Sequence, residues 1–144
     1  MNRHTLLPWV LRAAGATEML AFGAVVMPRG WMQAAHQWLG MGTMPDAPVL
    51  DFMIRQASFT YGLHGIALWI IAADTLRYRP LIWFTAIGYA LAGPVFVLID
   101  LSSGMPLWWV IGDGGGCLIL GLVVAHLLRL NSEHATVRVV AQHH

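Results

Sequence analysis

The chain has 144 residues, of which 58% are hydrophobic and only 10% charged, with a net charge of +1. An ordinary soluble domain carries about 25% charged residues, so this composition cannot cover a whole surface with water-loving groups, and lipid is implied as the solvent for much of it. The near-zero net charge gives no sign of nucleic acid as a partner, since binding phosphates takes a basic surplus, and the length allows one compact unit.

Four apolar stretches follow one another, each about 20 residues long, which suits a ~30 Å hydrocarbon core at 1.5 Å of helix rise per residue. The runs are too long and continuous for strands and lack the alternation of a membrane barrel. The expected fold is therefore all-α, an integral membrane four-helix bundle. A single domain is expected over residues 1–130 and a polar cytoplasmic tail over 131–144.

Span one is expected over residues 6–27, with Pro8 in its first turn, where a missing N–H costs nothing, and Pro28 and Gly30 as its stop. Arg3 precedes it as in a signal peptide, but no small-residue cleavage site follows, so it reads as a retained helix. The link over 28–50 is long and holds Trp31, Met32, His36, Trp38, Leu39, Met41 and Met44. Trp31, Ala35, Trp38 and Leu39 share one helical face, as in a short amphipathic helix lying at a membrane interface; a hydrophobic loop over the helix ends is the alternative. Span two is expected over 51–73, span three over 81–101 and span four over 107–128. Spans two and three are joined by an Arg-rich turn, and three and four by Ser102 to Pro106.

All eight basic residues are Arg. Arg3, Arg12, Arg77, Arg79, Arg129 and Arg138 fall at one set of span ends, and Arg29 and Arg55 at the other. The positive-inside rule then puts both termini in the cytoplasm of a bacterial inner membrane. Trp9 and Trp83 near one interface, and Trp31, Trp38, Trp108 and Trp109 near the other, fit an aromatic belt.

Ionisable groups inside a span are expensive, so each is a candidate for function. Glu18 lies near the middle of span one and His64 near the middle of span two, with Ser58 and Tyr61 beside them. Counted from the outer span ends, Glu18 is ~13 Å deep and His64 ~20 Å; the two meet if the helices tilt or the boundaries slip. Arg55, Asp100 and Asp113 lie shallower, as an outer cluster in which Arg55 would pair Asp100 or Asp113. The ligand-binding set expected on these grounds is Glu18, Arg55, Ser58, Tyr61, His64, Asp100 and Asp113. The competing reading is polar glue between helices, with Thr17 or Thr85 bonding Glu18. Gly112 and Gly114 to Gly116 surround Asp113, so span four should either pack tightly there or open its backbone onto a cavity. Gly88, Gly93 and Pro94 mark span three for close packing and a kink.

The single cysteine, Cys117, excludes an intrachain disulfide and a Cys-based metal site. No haem attachment motif, His-Glu-x-x-His or phosphate loop is present, and no metal site is expected. His64 and His126 sit at depths about 15 Å apart by helix rise, against a haem held between them.

Leu11-Arg12-Ala13-Ala14-Gly15 and Met27-Pro28 in the first span resemble the DoxX-like group of small bacterial membrane proteins. Asp74 to Leu81 and Gly104-Met105-Pro106-Leu107-Trp108-Trp109 resemble a largely uncharacterised branch of that group. The resemblance covers most of the chain and implies a four-helix bundle. It implies no single activity, since some members are quinone-linked subunits, and it carries over no catalytic residue. Four spans with a membrane Glu are also similar to small multidrug resistance transporters, but the residues around Glu18 and the long Trp-rich loop depart from them.

The functional expectation is a non-catalytic membrane subunit or a bundle binding a lipophilic small molecule, a quinone or a lipid. Its partners would be membrane lipids, with a larger membrane complex or a homo-oligomer. The alternatives are a membrane enzyme using Glu18 and His64 as acid and base on a lipid-like substrate, and, third, a proton-coupled transporter.

Overall fold

The computed structural model describes residues 3–141, with side chains from 6 to 131. The side chains of Arg3, His134 and Arg138, and all of His143 and His144, lie outside the described residues. The order of elements is α1 (Arg3–Met19), α2 (Phe22–Val26), α3 (Arg29–Trp38), α4 (Pro48–Ala73), α5 (Arg79–Ser102), α6 (Leu107–Val110), a π-helical turn (Ile111–Gly115) and α7 (Gly116–Ala141). Among the described residues there is no strand.

Among the described residues, three helical stretches are long and apolar enough to cross a membrane: Leu6–Val26, Arg79–Ser102 and Leu107–Asn131. The fourth expected span, α4, has 26 residues but is more polar, carrying Asp51, Arg55, Gln56 and His64, and it falls outside that set. Span one is interrupted at Leu20-Ala21, and the helix of span four continues through much of the expected tail to Ala141. Large apolar side chains stand exposed. On α5, Phe84, Leu91 and Leu98 recur every seven residues, each 66–78% exposed. A soluble monomer rarely tolerates such a stripe.

The chain divides into two compact units, residues 1–11 with 71–144 and residues 12–70. In the first, α5 packs on α7 through small residues. A Cβ at Gly121 would stand 2.5 Å from the Ala90 nitrogen and 2.7 Å from the Ala86 oxygen. One at Gly93 would stand 2.8 Å from the Gly114 oxygen, and one at Gly114 would stand 2.8 Å from the Gly93 oxygen. Two helix backbones approach this closely only where side chains are missing, which is how membrane helices gain packing in a solvent as apolar as themselves. Of the two outcomes foreseen for the glycine run, tight packing occurs. Gly114 packs against α5, and the backbone there opens into the π turn. Pro94 lies inside α5 without ending it.

The second unit pairs α1 and α2 with α4. A Cβ at Gly65 would stand 2.5 Å from the Gly15 oxygen, and one at Gly62 would enter the Phe22 ring. Phe22 also meets Phe59 edge to face, with ring centroids 5.9 Å apart. After Thr17 the backbone tightens to three-residue steps, Leu20 N–H to Thr17 O and Ala21 N–H to Glu18 O. The long link contains the expected helix, α3, with Met32 buried and Trp31 and Trp38 exposed. Arg29 orders it: its guanidinium meets Asp51 at 2.6 Å and Asp46 at 3.0 Å, and donates to the Pro45 carbonyl at 2.8 Å. Asp51 sits in the first turn of α4, where a negative charge faces the positive end of the helix. Asp46 is almost fully exposed, and a pair of that kind contributes little.

Candidate functional site

Glu18 and His64 face each other across the α1–α4 seam, with Glu18 Oε2 2.6 Å from His64 Nδ1. The glycines explain why they can. Gly15 lies one turn before Glu18, and Gly62 and Gly65 flank His64, so the two helices approach closely enough for a short carboxylate to reach the imidazole. The Glu18 side chain is largely covered, at 15% exposed, whereas that of His64 is 44% exposed. At this separation one hydrogen lies between Nδ1 and Oε2. That sets the ring plane. The Thr17 hydroxyl donates to the Ala13 carbonyl at 3.1 Å, as a helical threonine commonly does.

Arg55 meets backbone carbonyls within its own unit. Its guanidinium donates to the carbonyl oxygens of Val25 and, at 3.0 Å, Met27. Val25 and Met27 stand at the end of α2, and a helix C-terminus leaves carbonyls with no intrahelical donor. A half-buried guanidinium satisfies them as well as a carboxylate would satisfy it. Replacing Arg55 with Met removes both donors. The expected cost is about 2–4 kcal/mol, since a hydrogen bond to a charged group contributes roughly 1.5–3 kcal/mol. Arg55→Lys should recover less than half, because one ammonium cannot fork onto two carbonyls. Chemical unfolding in detergent micelles measures both.

The Arg55 clamp sets the register of the pair. With Arg55 level with Val25 and Met27, each step down α4 meets a step back along α1: His64 reaches Glu18, Gly65 reaches Gly15, and the Trp69 indole N–H reaches the Arg12 carbonyl at 2.9 Å. The seven-ångström difference in depth expected from the span ends disappears because α4 begins at Pro48, beyond the level where α2 ends. Trp69, inside α4, is thus a helix-to-helix tie.

The seven candidate residues fall into the two units. Glu18, Arg55, Ser58, Tyr61 and His64 belong to residues 12–70, where Ser58 is half-buried and Tyr61 is 48% exposed. Asp100 and Asp113 belong to the other. Asp100 is buried near the end of α5, and its Oδ2 has no hydrogen-bond partner. Asp113 lies half-buried in the π turn. Sequence reasoning missed the Arg29–Asp46–Asp51 cluster. Its one signal was an acidic residue opening α4, with an arginine opening the helix before it. Among the described residues no group of three potential ligands could hold a metal ion.

The fold and this pair define an α-helical chain with membrane-length apolar helices and a polar His–Glu contact inside one helix pair. No family model, no curated protein and no solved structure matches the chain.

Proposed function

We propose that the chain is a four-span bacterial inner-membrane protein of the DoxX-like type that binds a lipophilic small molecule, a quinone or a lipid, at the Glu18–His64 pair. The carrying observation is the 2.6 Å contact beside a half-exposed imidazole. Tyr61 and Ala67, each one turn from His64 on α4, are exposed, as are the apolar Leu63 and Ile66 further round the helix. A polar ring in such surroundings is costly in hydrocarbon. A molecule that dissolves in the bilayer and carries a carbonyl or hydroxyl offsets that cost by meeting the imidazole. Glu18 aims the ring by holding Nδ1, as carboxylates aim imidazoles elsewhere. α4 serves as the remaining crossing in this reading, because its polar groups are supplied with partners, Arg55 by carbonyls and His64 by Glu18. The arginine distribution supports cytoplasmic termini, and the exposed Trp31 and Trp38 of α3 support an interfacial position.

The test is saturable binding of a short-chain benzoquinone, and of phospholipid, to the protein in nanodiscs. His64→Ala is expected to weaken binding of one of these at least about tenfold, the equivalent of one good hydrogen bond (1.4 kcal/mol is tenfold). Glu18→Gln should weaken it less, since Gln can still accept from Nδ1. Wild-type affinity in both variants would remove the proposal. The same contact suits an acid–base pair. That second reading requires a lipid-like substrate whose turnover stops in Glu18→Gln while its binding persists.

A further inference from the structure

At the end of the α5–α7 pair where α5 begins, two arginines lie against aromatic rings. The Arg129 guanidinium lies 5.5 Å from the centre of the Trp83 ring, and that of Arg77 lies 5.5 Å from the centre of the Tyr78 ring. Both arginines are exposed. Among the described residues, neither has a carboxylate partner. Asp74, the neighbouring acid, accepts the backbone N–H of Arg77 at 3.0 Å and so caps the turn. Arg79 adds a third exposed cation one turn before Trp83. The apolar side chains next to this cluster are bare: Leu76, Leu81 and Phe84 are 54–80% exposed.

Stacking on a ring holds a guanidinium in place by its face and leaves its N–H edge pointing outward. Such an edge matches two oxygens of a phosphate. This end of the pair therefore combines guanidinium groups held on rings with exposed apolar side chains nearby in the chain, the two halves of what a phospholipid needs. We infer that Arg77 and Arg129, braced by Tyr78 and Trp83, form a binding site for the headgroup phosphate of an anionic phospholipid whose acyl chains lie along Leu81 and Phe84. The inference rests on the chain being membrane-embedded and is independent of what Glu18 and His64 bind.

The experiment uses the full chain in nanodiscs of equal parts phosphatidylglycerol and phosphatidylcholine, released into mild detergent and weighed with its retained lipids by native mass spectrometry. At about 1 kcal/mol per interfacial arginine, two arginines correspond to a preference for phosphatidylglycerol on the order of thirtyfold. R77Q/R129Q should retain the two lipids equally, and R77K/R129K should keep part of the preference, which separates lost charge from lost fold. His64→Ala should leave the preference intact whether or not a ligand binds there. Equal retention by the wild-type chain, a preference that survives in R77Q/R129Q, or saturation by inorganic phosphate at the same concentration as lipid would each overturn the inference. A chain that stays dissolved without detergent would overturn the membrane reading itself.

Discussion

Replacing His64 with Ala is expected to destabilise the α1–α4 pair by about 2 kcal/mol, and replacing Glu18 with Ala by a similar amount. Removing one partner of a fully buried ion pair costs roughly 3–5 kcal/mol, because the other is left without a counterpart in a low dielectric. Here His64 is 44% exposed, so part of that penalty is relieved and the lower figure follows. The double variant Glu18→Ala/His64→Ala should cost clearly less than the two single changes added together, since no polar group is then stranded. Reversing the pair, Glu18→His with His64→Glu, should recover most of the loss, because the glycine seam brings either pair of side chains within reach. The measurement is unfolding free energy in one detergent for the wild type and all four variants. Additive losses, with no recovery on reversal, would mean that the 2.6 Å contact contributes nothing to the fold. A ligand-binding defect in the reversed protein alongside recovered stability would separate the two roles of the pair.

Much of this arrangement was legible in the sequence because the solvent constrains it. Backbone groups in hydrocarbon must bond within a helix, so long apolar runs translate directly into helices, and the few charges inside them stand out. Glu18 and His64 could be singled out on that ground alone. Their contact was harder to place, because depth counted from a span end assumes that helices begin and end at the membrane boundary. α4 starts earlier, and only the Arg55 clamp reveals the offset. Arg55 was the least legible residue. Carboxylates are visible in a sequence as potential partners, whereas the unpaired carbonyls of Val25 and Met27 exist only because α2 ends there. The interruption at Leu20-Ala21 also has no marker, since neither proline nor glycine lies at that point. By contrast, the π turn falls within the Gly112–Gly116 run that drew attention to span four. Glycines lower the cost of leaving regular α geometry, and π turns concentrate where a helix is locally re-aimed.

The largest effect of a single methyl group should come from Gly121→Ala. The added Cβ would stand 2.5 Å from the Ala90 nitrogen and 2.7 Å from the Ala86 oxygen. Both are backbone atoms, so no side chain can turn aside and α5 and α7 must separate along their contact. Overpacking of this kind costs about 1–3 kcal/mol, and the upper end applies where the obstacle is a helix. Gly88→Ala is the matched control on the facing helix, because nothing lies within 4 Å of its Cβ position. Inside a helix alanine is favoured over glycine by about 1 kcal/mol, so Gly88→Ala should leave stability unchanged or raise it. Opposite signs for two identical substitutions would locate the seam on the Gly93–Gly114–Gly121 face. Equal behaviour of the two variants would show that α5 and α7 are held together by something other than close backbone approach. The distinction bears on the rest of the unit, because Asp100 and Asp113 lie where this seam ends and the π turn begins. If the helices separate at Gly121 while the pair of aspartates keeps its environment, the acidic end is held by the α6 turn and not by the glycines.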